Sequence, residues 1–129
     1  MIEKQQTLFE NGKGNCFAAC IASILEISIE ELPDFHKEWN WREALNIYLQ
    51  KFCLFYFEVS LPGDMRDELI SYWGYHIICG DSPRGLRHAV VGYKGEMIFD
   101  PHPEGGGVSG ELEYGFFIPL NPQRNKIDT

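Results

Sequence analysis

The chain has 129 residues, of which 44% are hydrophobic and 23% are charged, a composition typical of a folded domain and not of a disordered segment. Its net charge of −8 repels nucleic-acid backbones, and its basic residues are scattered, which argues against a nucleic-acid partner. We find no secretory signal pattern and no apolar run of about eighteen residues, so we expect one cytoplasmic domain over residues 1–129, with no membrane partner.

The first half of the chain carries helical patterns. Residues 1–15 are mixed and glycine-containing, and they predict an extended arm that ends in a loop. Apolar side chains recur at spacings of three and four over residues 16–25, which predicts a core helix. Ser28 and Glu31 match a capping box that opens a short helix, and residues 41–52 predict a third helix.

The second half of the chain changes to short segments rich in aromatic and β-branched residues, separated by glycine and proline. Residues 64–72 could add one more short helix. The predicted strands cover residues 54–60, 75–79, 87–93, 97–100 and 115–120. Helices followed by an antiparallel sheet predict an α+β domain in which the helices pack on one face of the sheet.

A possible catalytic site begins at Cys16. The unpaired N–H groups and the dipole at a helix N-terminus favour a thiolate, which makes Cys16 a candidate nucleophile. A cysteine nucleophile needs a base and a group that orients the base. If the strands around Lys94 and Gly95 form a hairpin, His88 and Asp100 come together at its open end and supply both groups.

Two segments, GNCFAACIASIL and HAVVGYKGEMIFDP, resemble the papain-like cysteine peptidase superfamily. The similarity is greatest to the double-glycine, or bacteriocin-leader, peptidase branch and its small phage and bacterial relatives. It extends in order from Gln6 to Pro103 and implies a papain-like fold, with the nucleophile at a helix N-terminus packed on a C-terminal sheet. The transporter domains of that branch are absent from this sequence, so cleavage after two glycines is not implied.

The resemblance also implies a role for each site residue. Cys16 is the nucleophile, His88 the general base and acid, and Asp100 the residue that orients the imidazole. Gln6, or the adjacent Gln5, donates to the oxyanion beside the backbone N–H of Cys16. The expected activity is hydrolysis of a peptide, isopeptide or other amide bond in a peptide or protein substrate, without a metal or other cofactor.

Other interpretations use the same residues. Acyl transfer to an amine, as in transglutaminase-like proteins, needs the same catalytic groups, and a phage-encoded inhibitor or binding protein could keep the fold without turnover. A buried structural thiol is the simplest alternative for Cys16. A weakly indicated zinc site would use Cys16, Cys20, His88 and His102. The remaining thiols, Cys20, Cys53 and Cys79, are expected in the core.

Overall fold

The computed structural model describes residues 1–9, 14–35, 37, 40–60 and 74–120. They form an α+β structure with two α-helices and a five-stranded antiparallel sheet, as the order of patterns predicts. Short 3₁₀ turns cover Ile29–Glu31 and Gln50–Phe52. The elements are α1 (Cys16–Leu25), α2 (Trp41–Leu49), β1 (Leu54–Val59), β2 (Tyr75–Asp81), β3 (Arg87–Tyr93), β4 (Glu96–Phe99) and β5 (Ser109–Pro119).

The strands lie in the order β1-β5-β2-β3-β4, and every pair of neighbours is antiparallel. The last strand therefore lies between the first two. It pairs Phe117 with Tyr56 of β1 on one side and Gly115 with Ile77 of β2 on the other.

The β3–β4 hairpin positions two of the predicted site residues. Lys94 and Gly95 have φ values of 54° and 83°, the left-handed conformation that a two-residue hairpin turn requires. Val91 pairs with Phe99, after a register shift between Val91 and Gly92. The predicted hairpin is thus confirmed, and its open end carries His88 and Asp100.

The sheet is packed on both faces. Helix α1 packs against β3 and β2, and α2 packs against β1. The helix-side core contains Ile21, Leu45, Leu49, Ile77 and Val91, all fully buried. A second cluster is formed by Ile78, Val90, Tyr114 and Phe116. Because Val90 and Val91 are adjacent in β3 and belong to different clusters, the two clusters lie on opposite faces of the sheet.

Helix α2 also covers the outer edge of the sheet at β1. The side chain of Asn46 accepts from the backbone N–H of Tyr56 at 2.7 Å and donates to the Tyr56 carbonyl at 3.2 Å. This amide replaces the hydrogen bonds that another strand would make, so the edge is blocked at its centre.

Three local predictions concern Ser28, the start of β5 and residues 64–72. A short 3₁₀ turn follows Ser28 where a short helix was predicted, but the Ser28 side chain makes no capping hydrogen bond, so the capping-box prediction is wrong. Strand β5 begins at Ser109, six residues before the predicted start, because pairing with β2 extends it through a polar segment. The predicted helix over residues 64–72 lies outside the described residues.

In the described ranges, no helix is long and apolar enough to cross a membrane.

His76 is a fully buried polar residue in β2. Its Nδ1 donates to the Gly74 carbonyl at 2.9 Å, and its ring centroid lies 5.5 Å from that of Phe116. Its buried Nε2 has no hydrogen-bond partner among the described residues. Burial lowers the pKa of this imidazole, although the bond to Gly74 partly opposes the shift.

We predict that the free energy of unfolding falls as the pH is lowered from about 7 to 5. Below about pH 6.5 the unfolded chain binds a proton at His76, whereas the folded chain, whose His76 pKa is lowered, does not. Urea unfolding at each pH measures this slope. His76→Leu removes the titrating group, so its slope should be smaller than that of the wild type, whatever its absolute stability. Equal slopes would contradict the assignment to His76.

Candidate active site

A pocket of about 750 Å³ opens between α1, the segment after it and the sheet. Thr7, Leu8 and Asn15 form one side of it. Cys16 and His88, two of the residues singled out in the sequence, both line this pocket. Its other walls are formed by Phe17, Ile29, Leu32, Pro33, Phe35, Trp41, Arg42, Glu58, Cys79, Arg87, Ala89 and Glu113, among others.

His88 and Asp100 form a buried pair at the open end of the hairpin. His88 Nε2 lies 2.6 Å from Asp100 Oδ1, and the two side chains are 5% and 6% exposed. Because a carboxylate accepts hydrogen bonds, Nε2 carries the proton in this contact. The neutral ring then has its lone pair on Nδ1, which is the nitrogen able to take a proton from a nucleophile.

Asp100 is itself fixed by the backbone of the following loop. Its Oδ1 accepts from the N–H of His102 at 2.9 Å, and its Oδ2 accepts from the N–H of Gly107 at 2.9 Å. Burial raises the pKa of Asp100, but the hydrogen bonds from His88, His102 and Gly107 outweigh that effect, and the net pKa lies below its ordinary value. Asp100 is therefore an anion that can orient the imidazole and stabilise its protonated form.

Cys16 is the first residue of α1 and is half-buried. Burial raises the pKa of its thiol, and the backbone N–H groups of Ala89, Phe17 and Cys16 itself lower it by a smaller amount. The N–H groups at the start of the helix therefore favour the thiolate, as expected, but they do not bring the pKa of Cys16 below its ordinary value. Withdrawal of the sulfur from water has the larger effect. A base must remove the proton before Cys16 can react as a nucleophile.

The structure brings Cys16 and His88 to one pocket without joining them directly. Among the described residues, no hydrogen bond connects the sulfur and the imidazole. Ala89, whose backbone N–H faces the sulfur, is the neighbour of His88 in β3. The Cys16 thiol and the His88 imidazole therefore lie in neighbouring parts of the pocket.

Gln6 lies beside the Asp100 loop. Its backbone N–H donates to the Pro101 carbonyl at 3.0 Å, and its side-chain Nε2 donates to the Leu8 carbonyl at 2.9 Å. Gln6 is buried whereas the alternative Gln5 is exposed, and neither lines the pocket. One N–H of the Gln6 amide is thus engaged by Leu8, and its role as an oxyanion donor stays a prediction that depends on the second N–H.

The pocket lining contains both aromatic and charged side chains. The Phe17 ring centroid lies 5.1 Å from that of Trp41 and 5.7 Å from that of Phe35, in edge-to-face contacts. Opposite charges in the lining are paired: Arg42, which also stacks on the Trp41 ring, lies 2.7 Å from Glu58, and Arg87 lies 3.3 Å from Glu113. No pattern in the sequence indicated these ion pairs, because they join distant segments.

The other thiols and imidazoles have different environments. Cys20 is fully buried, as expected, but Cys53 is exposed, so its assignment to the core is wrong: it caps a 3₁₀ turn in the left-handed conformation. Cys79 is half-buried and lines the pocket. Within the described part of the chain, no three His, Cys, Asp or Glu side chains are grouped so as to hold a metal ion. The alternative zinc site is not assembled there.

His102 is a site residue whose contacts the sequence did not indicate. Its backbone N–H binds Asp100, and its ring centroid lies 6.2 Å from that of His88. Its Nδ1 accepts from the N–H of Glu104 at 3.0 Å, so that nitrogen is unprotonated. The turn that follows Asp100 directs the His102 N–H at the Asp100 carboxylate.

No protein-family model, curated protein or solved structure matches this chain. The site consists of a thiol at a helix N-terminus, an imidazole whose Nδ1 can accept a proton, and a carboxylate fixed by three hydrogen bonds.

Proposed function

We propose that this protein is a thiol-dependent hydrolase with a papain-like arrangement, which cleaves a peptide, isopeptide or other amide bond. The observation that carries the proposal is the 2.6 Å contact between His88 Nε2 and Asp100 Oδ1, beside a pocket that also contains Cys16. A histidine oriented in this way by an anion is the arrangement that nucleophilic catalysis by cysteine requires.

In the first half of the reaction, His88 Nδ1 takes the proton of Cys16, and the sulfur attacks the carbonyl carbon of the amide. The negative charge moves to the carbonyl oxygen, which the uncapped N–H groups at the start of α1 can stabilise. When the C–N bond breaks, His88 returns the proton to the leaving amine. The acyl group remains on Cys16 as a thioester.

In the second half, a water molecule takes the place of the amine. His88 removes a proton from this water, and the resulting hydroxide attacks the thioester carbonyl. The C–S bond breaks, the acid product leaves, and the proton on His88 returns to the sulfur. Asp100 stabilises the imidazolium in both halves, because its lowered pKa keeps it ionised near neutral pH.

Part of the pocket lining is suited to an apolar group next to the scissile bond. Phe17, Phe35 and Trp41 present aromatic surface, and the two arginines of the lining, Arg42 and Arg87, are paired with glutamates. An apolar side chain can displace water from this aromatic surface.

The first test is the rate of alkylation of Cys16 by iodoacetamide between pH 5 and 10, measured by peptide mapping. Because burial raises the pKa of this thiol, its reaction near neutral pH depends on His88. We expect His88→Ala to slow the alkylation of Cys16 at pH 7 by about tenfold or more.

Cys53 provides an internal control in the same experiment, since it is an exposed thiol outside the pocket lining. Its rate should be equal in the wild type and in His88→Ala. Equal rates for Cys16 in the two proteins would refute the catalytic proposal and favour a binding protein that retains the fold without turnover.

A further inference from the structure

Asn15 immediately precedes Cys16 and occupies the N-cap position of α1. Asparagine is among the best N-cap residues because its side-chain oxygen accepts from the N–H groups two or three positions later. Here the Asn15 side chain makes no such bond. A residue suited to capping is therefore engaged elsewhere.

The Asn15 side chain binds the N-terminal arm instead. Its Oδ1 accepts from the backbone N–H groups of Thr7 and Leu8, each at 2.9 Å, and its Nδ2 donates to Thr7 Oγ1 at 2.9 Å. The backbone N–H of Asn15 also donates to the Leu8 carbonyl at 3.2 Å. Four hydrogen bonds thus join one residue to two consecutive residues of the arm.

One consequence concerns the nucleophile. The first backbone hydrogen bond of α1 runs from Ala19 N to Asn15 O at 2.9 Å, so the N–H groups before it are not used within the helix. A capping side chain would bind the N–H of Phe17 or Ala18. Because Asn15 binds the arm, the N–H of Phe17 remains directed at the Cys16 sulfur, whose pKa it lowers.

A second consequence concerns the other half of the site. The Leu8 carbonyl accepts from both Asn15 N and Gln6 Nε2, and Gln6 N donates to the carbonyl of Pro101, which follows Asp100. The arm therefore connects the helix that carries Cys16 to the loop that follows Asp100. Through this connection, Asn15 links the start of α1 to the loop beside the His88–Asp100 pair.

We propose that Asn15 is a positioning residue of this site: by holding residues 6–8 against the start of α1, it sets Cys16 relative to His88 and leaves the helix N-terminus uncapped for the oxyanion. The inference rests on the proposed function, since it assigns Asn15 a part in the same reaction.

The test measures how strongly Cys16 depends on His88 in different Asn15 backgrounds. The measured quantity is the ratio of the Cys16 alkylation rates with and without His88→Ala at pH 7, each divided by the rate of Cys53. In the Asn15→Ala background we expect this ratio to fall from about tenfold or more to below about threefold, because the two halves of the site are no longer held together.

Two further variants separate positioning from helix capping. Asn15→Ser restores a capping hydroxyl but is too short to bind the arm, so its ratio should fall as in Asn15→Ala although the helix is stable. Asn15→Asp keeps an acceptor for Thr7 N and Leu8 N, and the Thr7 hydroxyl can donate to its second oxygen, so its ratio should stay near that of wild type. Far-UV circular dichroism and urea unfolding confirm that each variant is folded.

Thr7→Val is the matched control, because it removes only the bond between Asn15 Nδ2 and Thr7 Oγ1. Its ratio should remain within about twofold of wild type. An Asn15→Ser ratio equal to that of wild type would overturn the positioning role and leave Asn15 as a structural residue. A ratio of one in the Asn15 wild-type background would instead overturn the proposed function, and the positioning role with it.

Discussion

On the proposed function, we expect Cys16→Ser to lower the rate of amide hydrolysis by roughly three orders of magnitude or more, equivalent to about 4 kcal/mol of transition-state stabilisation. The reason is chemical: a serine hydroxyl loses its proton far less readily than a thiol. Hydrolysis is measured with a library of fluorogenic peptide amides that covers every side chain next to the scissile bond, with mass spectrometry to identify the products.

The matched control is the same substitution at Cys53, an exposed thiol that does not line the pocket. Cys53→Ser should hydrolyse the same members of the library at rates within about twofold of wild type. Turnover that persists in Cys16→Ser at the rate of the Cys53→Ser protein would mean that Cys16 is not the nucleophile.

The second large effect is a loss of stability, which we expect when Gly115 in the middle of the sheet is replaced. Gly115 pairs with Glu58 of β1 and Ile77 of β2, and the ring of Tyr56 lies directly over it. A Cβ at position 115 would overlap Tyr56 Oη and lie 2.6 Å from Tyr56 Cε1 and Cζ. Tyr56 is 2% exposed and is packed against Phe17, so its ring has little room to move.

We predict that Gly115→Ala lowers the free energy of unfolding by about 3 kcal/mol, the upper part of the range for overpacked cores. Urea unfolding monitored by circular dichroism measures the change. Gly74→Ala is the control, because a Cβ at Gly74 meets nothing within 4 Å, and its free energy of unfolding should change by less than about 1 kcal/mol.

A double variant tests the cause of the loss. Tyr56→Phe removes the hydroxyl that the new Cβ would overlap, so Gly115→Ala should cost less in the Tyr56→Phe protein than in the wild type. The same cost in both backgrounds would show that the overlap with Tyr56 is not what destabilises Gly115→Ala.

Local chemistry explains which parts of the structure could be predicted from the sequence. The helix at Cys16 follows from its apolar spacing, and the pairing of His88 with Asp100 follows from a two-residue turn at Lys94 and Gly95. Both features depend on residues within about fifteen positions of one another, where propensity and register are decisive.

Features that depend on distant contacts could not be predicted in this way. Strand β5 starts at Ser109 because β2 supplies its hydrogen bonds. The thiol of Cys16 has a raised pKa because other segments withdraw it from water, whatever the local effect of the helix. The papain-like relationship itself stays a prediction.

The position of β5 also affects the order in which the parts of the sheet and the pocket can form during folding. In the described sheet, β1 pairs only with β5, although some fifty residues separate them, whereas β2, β3 and β4 are joined by short connections. Contacts between distant segments form slowly because a long stretch of chain must first be ordered. The His88–Asp100 pair can therefore form early during synthesis, but the pocket walls that contain Glu58 and Glu113 close only when the last strand is inserted. We therefore expect a nascent chain to pair His88 with Asp100 before the pocket is enclosed.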